Sequence, residues 1–238
     1  MAVYNHSSES MPEIDDDSVH LIVTSPPYPM IQKWDELYGT VNFNEQHHRL
    51  DQVWKECHRI LIPGGICCIN IGDATRTINK EFCCYPNSAR VTQALYSLKF
   101  TPLIPILWKK ISNRPNAFLG SGMLPPNGYV SQDCEYILIF RKGNLRKFKP
   151  KDRRRYESAY TKEERDKWFQ QIWEIKGARR AGKTSEFPEE IPYRLIRMFS
   201  IKGDFVVDPF SGTGTTGDVA MKLGREFIGY NSPEGFKL

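Results

Sequence analysis

The stretch Asp204-Phe205-Val206-Val207-Asp208-Pro209-Phe210-Ser211-Gly212-Thr213-Gly214-Thr215-Thr216-Gly217 passes from an apolar strand pattern into a glycine turn, and the helical pattern Val219, Ala220, Leu223 follows it. A strand, a tight turn and a helix N-terminus in this order form a cradle for a ligand, because only glycine lets the backbone bend and approach this closely. Gly212, Gly214 and Gly217 fit the G-x-G-x-x-G spacing of dinucleotide sites and also the glycine spacing of a Walker loop. Asp218 and Val219 stand where a Walker loop needs Lys and Ser or Thr, which argues against nucleoside triphosphate binding. A dinucleotide enzyme would need a further βαβαβ half and an acidic residue about twenty positions on. Only one more strand pattern, 226–229, follows before the chain ends.

Outward from this turn, short Val- and Ile-rich runs recur at 2–5, 19–23, 66–71, 103–108, 136–140 and 204–208. They are near-continuous rather than alternating, as strands buried on both faces are. Helical patterns lie between them. Leu50, Val53, Trp54, Cys57, Ile60 and Leu61 repeat at steps of three and four and stop at Pro63-Gly64-Gly65; Val91, Ala94, Leu95, Leu98 and Ile191, Leu195, Phe199 form two more. Strands alternating with helices predict one α/β domain over 1–238, with a mainly parallel seven-stranded sheet and helices on both faces. Residues 110–134, rich in Pro and Gly, read as a long loop, and 143–183 as a loop with one helix near 161–172; loops this long in a compact domain are usually functional.

A second motif, Thr24-Ser25-Pro26-Pro27-Tyr28, follows the run 19–23 directly. Read blandly, it is a turn stiffened by two prolines that fix φ and withhold donors from the sheet. Read chemically, it holds the Ser25 hydroxyl, the Pro26 carbonyl and the Tyr28 ring at the carboxyl edge of the sheet. Two fixed acceptors and a stacking face suit a planar base with an exocyclic amine.

The chain of 238 residues carries 33 Lys plus Arg against 28 Asp plus Glu, a net charge of +5 with 40% hydrophobic residues, which excludes a disordered, collagenous or disulfide-scaffold protein. Residues 141–155 hold nine Lys or Arg and one Asp, a local +8 that leaves −3 for the remainder. A run this dense attracts a polyanion, although charge runs are more often solvated loops. The six cysteines show no C-x-x-C pair; a metal held by Cys83, Cys84, His47 and His48 is disfavoured because adjacent ligands cannot easily share one tetrahedral ion, so no metal is expected. No run approaches the roughly 18 apolar residues of a membrane span, and the start MAVYNHSSES is neither basic nor apolar. No membrane partner and a cytoplasmic location at the nucleoid are expected.

TSPPY, DPFSGTGTT and the intervening FPEEIPYRLI together resemble the S-adenosylmethionine-dependent DNA amino-methyltransferases, specifically the permuted beta group. The resemblance covers nearly the whole chain, with LIVTSPPY, INIGD, ILW, CEYILIFRKG, EFPEEIPYRLI, VVDPFSGTGTTG and REFIGYNSPE in the family's order. It implies a Rossmann-like methyltransferase fold with an inserted target-recognition region within 110–183. It also implies S-adenosyl-L-methionine as cofactor, double-stranded DNA as partner, a companion restriction endonuclease and the option of a homodimer. By the same resemblance, Ser25, Pro26, Pro27 and Tyr28 are catalytic. Asp208, Pro209, Phe210, Ser211, Gly212, Gly214, Thr215, Thr216, Phe187, Pro188 and Asn231 hold the cofactor. Lys147, Lys149, Arg153, Arg154 and Arg155 are expected on phosphates, with Asn113 and Arg114 on bases. Asn231 replaces a usual carboxylate near the ribose, with Glu234 a few residues beyond; Asn5-His6-Ser7 replaces an acidic pair, and Phe187 a common histidine.

Cytosine C5 chemistry would need a Pro-Cys nucleophile, and no such dipeptide occurs. Serine at the head of the motif is the form seen mostly in N4-cytosine enzymes of the family, so N4-cytosine methylation after base flipping is the expectation. Two alternatives stay open. One is N6-adenine methylation. The other is a DNA-binding module without catalysis, its ribose position degenerate.

Overall fold

Every apolar run picked out in the sequence is a strand of one sheet. A computed structural model describes residues 1–111, 119–120, 125–177 and 187–232, with backbone alone for 119–120. In chain order the elements are β1 (Ala2–Tyr4), β2 (Val19–Thr24), α1 (Asp35–Tyr38), α2 (Phe43–Ile60), β3 (Leu61–Ile71), β4 (Ala74–Ile78), β5 (Glu81–Tyr85), α3 (Asn87–Ser97), β6 (Phe100–Pro102) and β7 (Ile106–Ile111). They continue with β8 (Leu119–Gly120), β9 (Gly128–Tyr129), β10 (Cys134–Lys142), α4 (Arg153–Glu157), α5 (Lys162–Trp168), β11 (Ile172–Lys176), α6 (Glu190–Phe199), β12 (Phe205–Asp208), α7 (Thr215–Lys222) and β13 (Glu226–Tyr230). The main sheet runs β1-β13-β12-β2-β3-β10-β7-β11, with β6 also on β10, so nine strands form it. The seven expected strands are all there, and β6 and β11 join them.

Neighbours from β1 to β3 pair parallel, as do β7 and β11, whereas β10 is antiparallel to β3, β6 and β7. Near-continuous apolar sequence follows from burial on both faces. Val19, Ile22, Cys67, Ile69, Leu138, Phe140 and Val207 face one core with Trp54 and Leu95 of the helices. Leu21, Val23, Cys68, Ile137, Ile139 and Val206 face the other, with Leu195, Val219 and Trp173. The helix α2 starts where Asn42 Oδ1 accepts the Asn44 and Glu45 amides, and turns Leu50, Val53, Trp54, Cys57 and Ile60 inward. Among the described residues no helix is long and apolar enough to cross a membrane.

The region 143–176 is not a loop with one helix. It holds two short helices and the edge strand β11, whose Trp173 and Ile175 are buried while Ile172, Glu174 and Lys176 are exposed. The α5 helix carries a capping box of Thr161 and Glu164. Its Trp168 and the Trp173 of β11 lie under the guanidinium groups of Arg197 and Arg194, at 5.7 and 4.8 Å, which fastens the region to α6.

The basic run 141–155 begins at the end of β10, and two of its residues are anchored to the rest of the chain. Lys142 Nζ donates to Asp17 and to the His58 carbonyl, both at 2.6 Å. Arg146 donates to both oxygens of Asp204, at 2.5 and 2.8 Å, and Asp204 is fully buried at the entry to β12. The chain there lies so close to β3 that a Cβ on Gly64, whose φ is +86°, would stand 2.3 Å from the Arg146 nitrogen. Part of the run's charge is therefore structural.

Removing Arg146 breaks the buried ion pair and leaves Asp204 the Ile201 amide at 3.0 Å as its remaining hydrogen-bond donor among the described residues, which costs about 3–5 kcal/mol. Urea unfolding should show Arg146→Ala losing about 3 kcal/mol or more and the exposed Lys147→Ala staying within about 0.5 kcal/mol of the wild type.

Candidate active site

The carboxyl ends of β12, β2 and β3 and the amino end of β10 meet at one edge of the sheet. A cavity of about 680 Å³ opens there. Both motifs enter it. Ser25, Pro26, Pro27 and Tyr28 line one side, and Asp208, Pro209, Phe210, Ser211, Gly212, Thr215 and Thr216 line the other, together with Phe187 and Asn231. Gly214 sits behind the lining as the N-cap of α7, and the Pro188 carbonyl accepts the Ile191 amide to start α6.

Asp208 joins the two motifs. Its Oδ1 accepts the Thr24 hydroxyl at 2.6 Å and the Phe210 amide at 3.0 Å, and its Oδ2 accepts the Thr216 hydroxyl at 2.7 Å. One buried carboxylate thus ties the end of β2, the start of the glycine loop and the first turn of α7. Gly212 and Gly214 take φ of +50° and +87°, which lets the loop fold back without side chains projecting into the cavity. The third glycine serves packing: a Cβ on Gly217 would fall 2.7 Å from the Phe227 ring. The Ser211 hydroxyl is buried and has no partner among the described residues.

On the opposite side a polar chain runs inward from Ser25. Its Oγ donates to Tyr28 Oη at 3.3 Å, and Tyr28 Oη donates to Glu135 Oε2 at 2.7 Å. Asn70 Nδ2 donates to both, at 2.7 Å to Tyr28 and 2.8 Å to Glu135. Lys110 pairs with Glu135 Oε1. Burial, and then the charge of Glu135, pushes the Tyr28 hydroxyl well above the tyrosine range, so it stays protonated. Its ring lies against Gly72, where a Cβ would be 3.1 Å away. Asn70, Glu135, Lys110, Trp108 and Lys33 also line this cavity, and the sequence patterns did not single them out. The one available signal was position: Asn70 and Glu135 stand at strand ends that the topology carries to the same edge as Ser25.

Several other polar residues lie away from the cavity. Asp73, in the turn after β3, accepts the Ser88 amide of α3 at 2.8 Å and does not line the cavity. His47 is buried and pairs through Nε2 with Asn87 Oδ1 at 2.9 Å. Lys147, Lys149, Arg153, Arg154 and Arg155 lie at the opposite edge, among segments that enter β12, β2 and β3, because Arg146 anchors their loop to Asp204. Arg153 and Arg154 there pair with Glu157 and Asp152, and Arg155 stacks on Phe148 at 4.5 Å. Asn113, Arg114 and Glu234 lie outside the described residues.

A profile of the DNA methylase family that comprises N6 and N4 methyltransferases matches residues 19–237. The chain belongs to this DNA methylase family. Over 261 aligned residues the methylase is 54% identical to the type II methyltransferase M.MjaI of Methanocaldococcus jannaschii, covering 97% of this chain and 86% of the relative. It is 44% identical to M.MthZI of Methanothermobacter thermautotrophicus, covering 99% and 74%. Among solved structures, TTHA0409 of Thermus thermophilus in complex with S-adenosyl-L-methionine superposes with a TM-score of 0.79 at 32% identity, over 97% of this chain and 89% of that one. The cytosine-N4-specific PvuII DNA methyltransferase shares the fold, with a TM-score of 0.68 at 20% identity over 97% and 81%.

Burial pushes Asp208 up to about 6, against the three hydrogen bonds that pull it down. That lies above the ~4 of an unfolded aspartate, so this group's contribution to stability is full below about pH 4 and is lost as the pH rises through about 6, by up to ~3 kcal/mol. Urea unfolding from pH 4.5 to 7.5 should show Asp208→Asn, which lacks this titration, gaining on the wild type as the pH rises. A constant difference across that range contradicts the assignment.

Proposed function

We propose that the methylase is of the permuted type and transfers a methyl group from S-adenosyl-L-methionine to the exocyclic N4 amine of cytosine in duplex DNA. The observation that carries this reading is the meeting of the Ser25 hydroxyl and the glycine loop in one cavity, joined through Asp208. The residues present fit the cofactor: the folded-back loop, the unpartnered buried Ser211 hydroxyl and the polar Thr215 and Asn231 would hold it. Bound there, it would supply an electrophilic methyl group.

An exocyclic amine is a poor nucleophile because its lone pair is delocalised into the ring. A hydrogen bond from the amine to Ser25 Oγ, and a second to the Pro26 carbonyl, draws the nitrogen towards tetrahedral geometry and aims its lone pair. Catalysis is then largely positional. The base leaves the stack to reach the cavity, and the Tyr28 ring, backed by Gly72, offers a face for it. Serine at the head of the motif favours cytosine over adenine, by the family resemblance. Target recognition falls to loops within 110–183 that leave the cavity edge, and a type II system with a cognate endonuclease is the setting that the M.MjaI and M.MthZI relatives suggest.

Duplex DNA at this edge meets Lys33 at the cavity mouth rather than the basic run at the opposite edge. Each phosphate contact contributes about 0.9 to the slope of log affinity against log salt. Filter binding across a salt series should show Lys33→Gln reducing that slope by roughly 0.9, with the triple change Arg153→Ala, Arg154→Ala and Arg155→Ala leaving it unchanged. The reverse pattern would move the duplex to the far edge.

Mass spectrometry of nucleosides from DNA treated with enzyme and cofactor should find N4-methylcytosine, and Ser25→Ala should lower turnover about tenfold or more while both ligands still bind. N6-methyladenine would overturn the cytosine assignment.

A further inference from the structure

The hydrogen bonds around Tyr28 have a fixed polarity. Tyr28 Oη has one proton, and a carboxylate accepts only, so that proton points at Glu135 Oε2 across 2.7 Å. Asn70 Nδ2 spends its two hydrogens on Tyr28 Oη and Glu135 Oε2, at 2.7 and 2.8 Å. Tyr28 Oη is left with one acceptor position, and Ser25 Oγ donates into it at 3.3 Å. The lone pairs of Ser25 Oγ are consequently free to accept a hydrogen from the cavity. Every proton along Ser25, Tyr28 and Glu135 points the same way, from the cavity towards the carboxylate.

A methylated amine needs such a path. When the nitrogen lone pair has formed its new bond to carbon, the nitrogen holds one proton and one positive charge too many. We propose that this proton leaves along the chain Ser25–Tyr28–Glu135, with Glu135 as its terminal acceptor. The amine proton passes to Ser25 Oγ, the Ser25 hydroxyl proton to Tyr28 Oη and the Tyr28 proton to Glu135 Oε2. Serine and tyrosine end neutral, and the carboxylate becomes a carboxylic acid that cancels the charge gained at nitrogen. No free tyrosinate forms. Lys110, which pairs with the other carboxylate oxygen and is partly exposed, balances the charge of Glu135 before the step and marks the side from which water restores it. Asn70 is a positioning residue, since its amide fixes the distance between Tyr28 and Glu135 without carrying a proton.

This inference rests on the reading that Ser25 Oγ accepts an amine hydrogen, and the test separates the two. Single-turnover transfer of labelled methyl groups to DNA is measured for Ser25→Ala, Tyr28→Phe, Glu135→Gln, Glu135→Asp and the double variant Tyr28→Phe/Glu135→Gln, with cofactor affinity and unfolding followed in parallel. Tyr28→Phe and Glu135→Gln should each slow transfer about tenfold or more with cofactor affinity within about threefold. The double variant should be no slower than the worse single one, because both changes interrupt one path. Glu135→Asp, which keeps the charge, should recover part of the rate. Multiplicative losses in the double variant, or Glu135→Gln within about twofold of the wild type while Ser25→Ala is slow, would overturn the relay alone. A Ser25→Ala rate equal to the wild type would overturn the underlying reading instead.

Discussion

A single buried carboxylate organises this site. Asp208 ends β12 almost wholly shielded from water, and three donors converge on it from Thr24, Phe210 and Thr216. Burial raises the cost of its charge and the three donors offset that cost. The donors come from two motifs separated by 184 residues in sequence, so their convergence sets the distance between the serine turn and the glycine loop. The parallel pairing of β12 with β2 delivers the two strand ends side by side, and Asp208 locks them. At the other end of the same strand, Asp204 is matched by Arg146, so β12 is pinned at both ends by a charged group that finds partners elsewhere in the chain.

The two functions of the cavity depend on different kinds of constraint. The glycine loop must have backbone where other residues would have side chains, and its shape comes from local conformational freedom at Gly212 and Gly214. The serine side instead needs a defined order of donors and acceptors, and that order comes from tertiary structure. β10 enters the sheet antiparallel, which brings Glu135 at its start against Asn70 near the end of β3, in register with Ile71 paired to Tyr136. A parallel strand in that place would have presented its other end. The antiparallel insertion is what supplies the carboxylate.

Much of the fold was legible because its signals are local: seven apolar runs, four helical patterns and two turns with Gly or Pro at fixed positions. β11 escaped because Ile172-Trp173-Glu174-Ile175-Lys176 alternates on an exposed edge and follows directly on a helical, charged stretch. On the site, Ser25 to Tyr28 and Asp208 to Thr216 were readable from turn chemistry. Asn70, Lys110 and Glu135 were not, because a polar residue at the end of an apolar strand carries no mark of which strand end will lie beside it. The basic run shows a related limit. Charge density announces that a segment repels itself and attracts anions, but not where the fold will set it down, and Lys142 and Arg146 turned out to neutralise groups of the protein itself.

The claim that Asp208 couples the two motifs is tested most directly at a residue outside the cavity. Thr24 does not line it, yet its hydroxyl holds Asp208 at 2.6 Å. Calorimetric titration of S-adenosyl-L-methionine into Thr24→Val, which preserves shape and removes the donor, should show affinity weakened about fivefold or more, since a hydrogen bond to a charged group is worth on the order of 1.5–3 kcal/mol. Affinity equal to that of the wild type would mean that the glycine loop holds its shape alone and that the carboxylate does not join the two motifs.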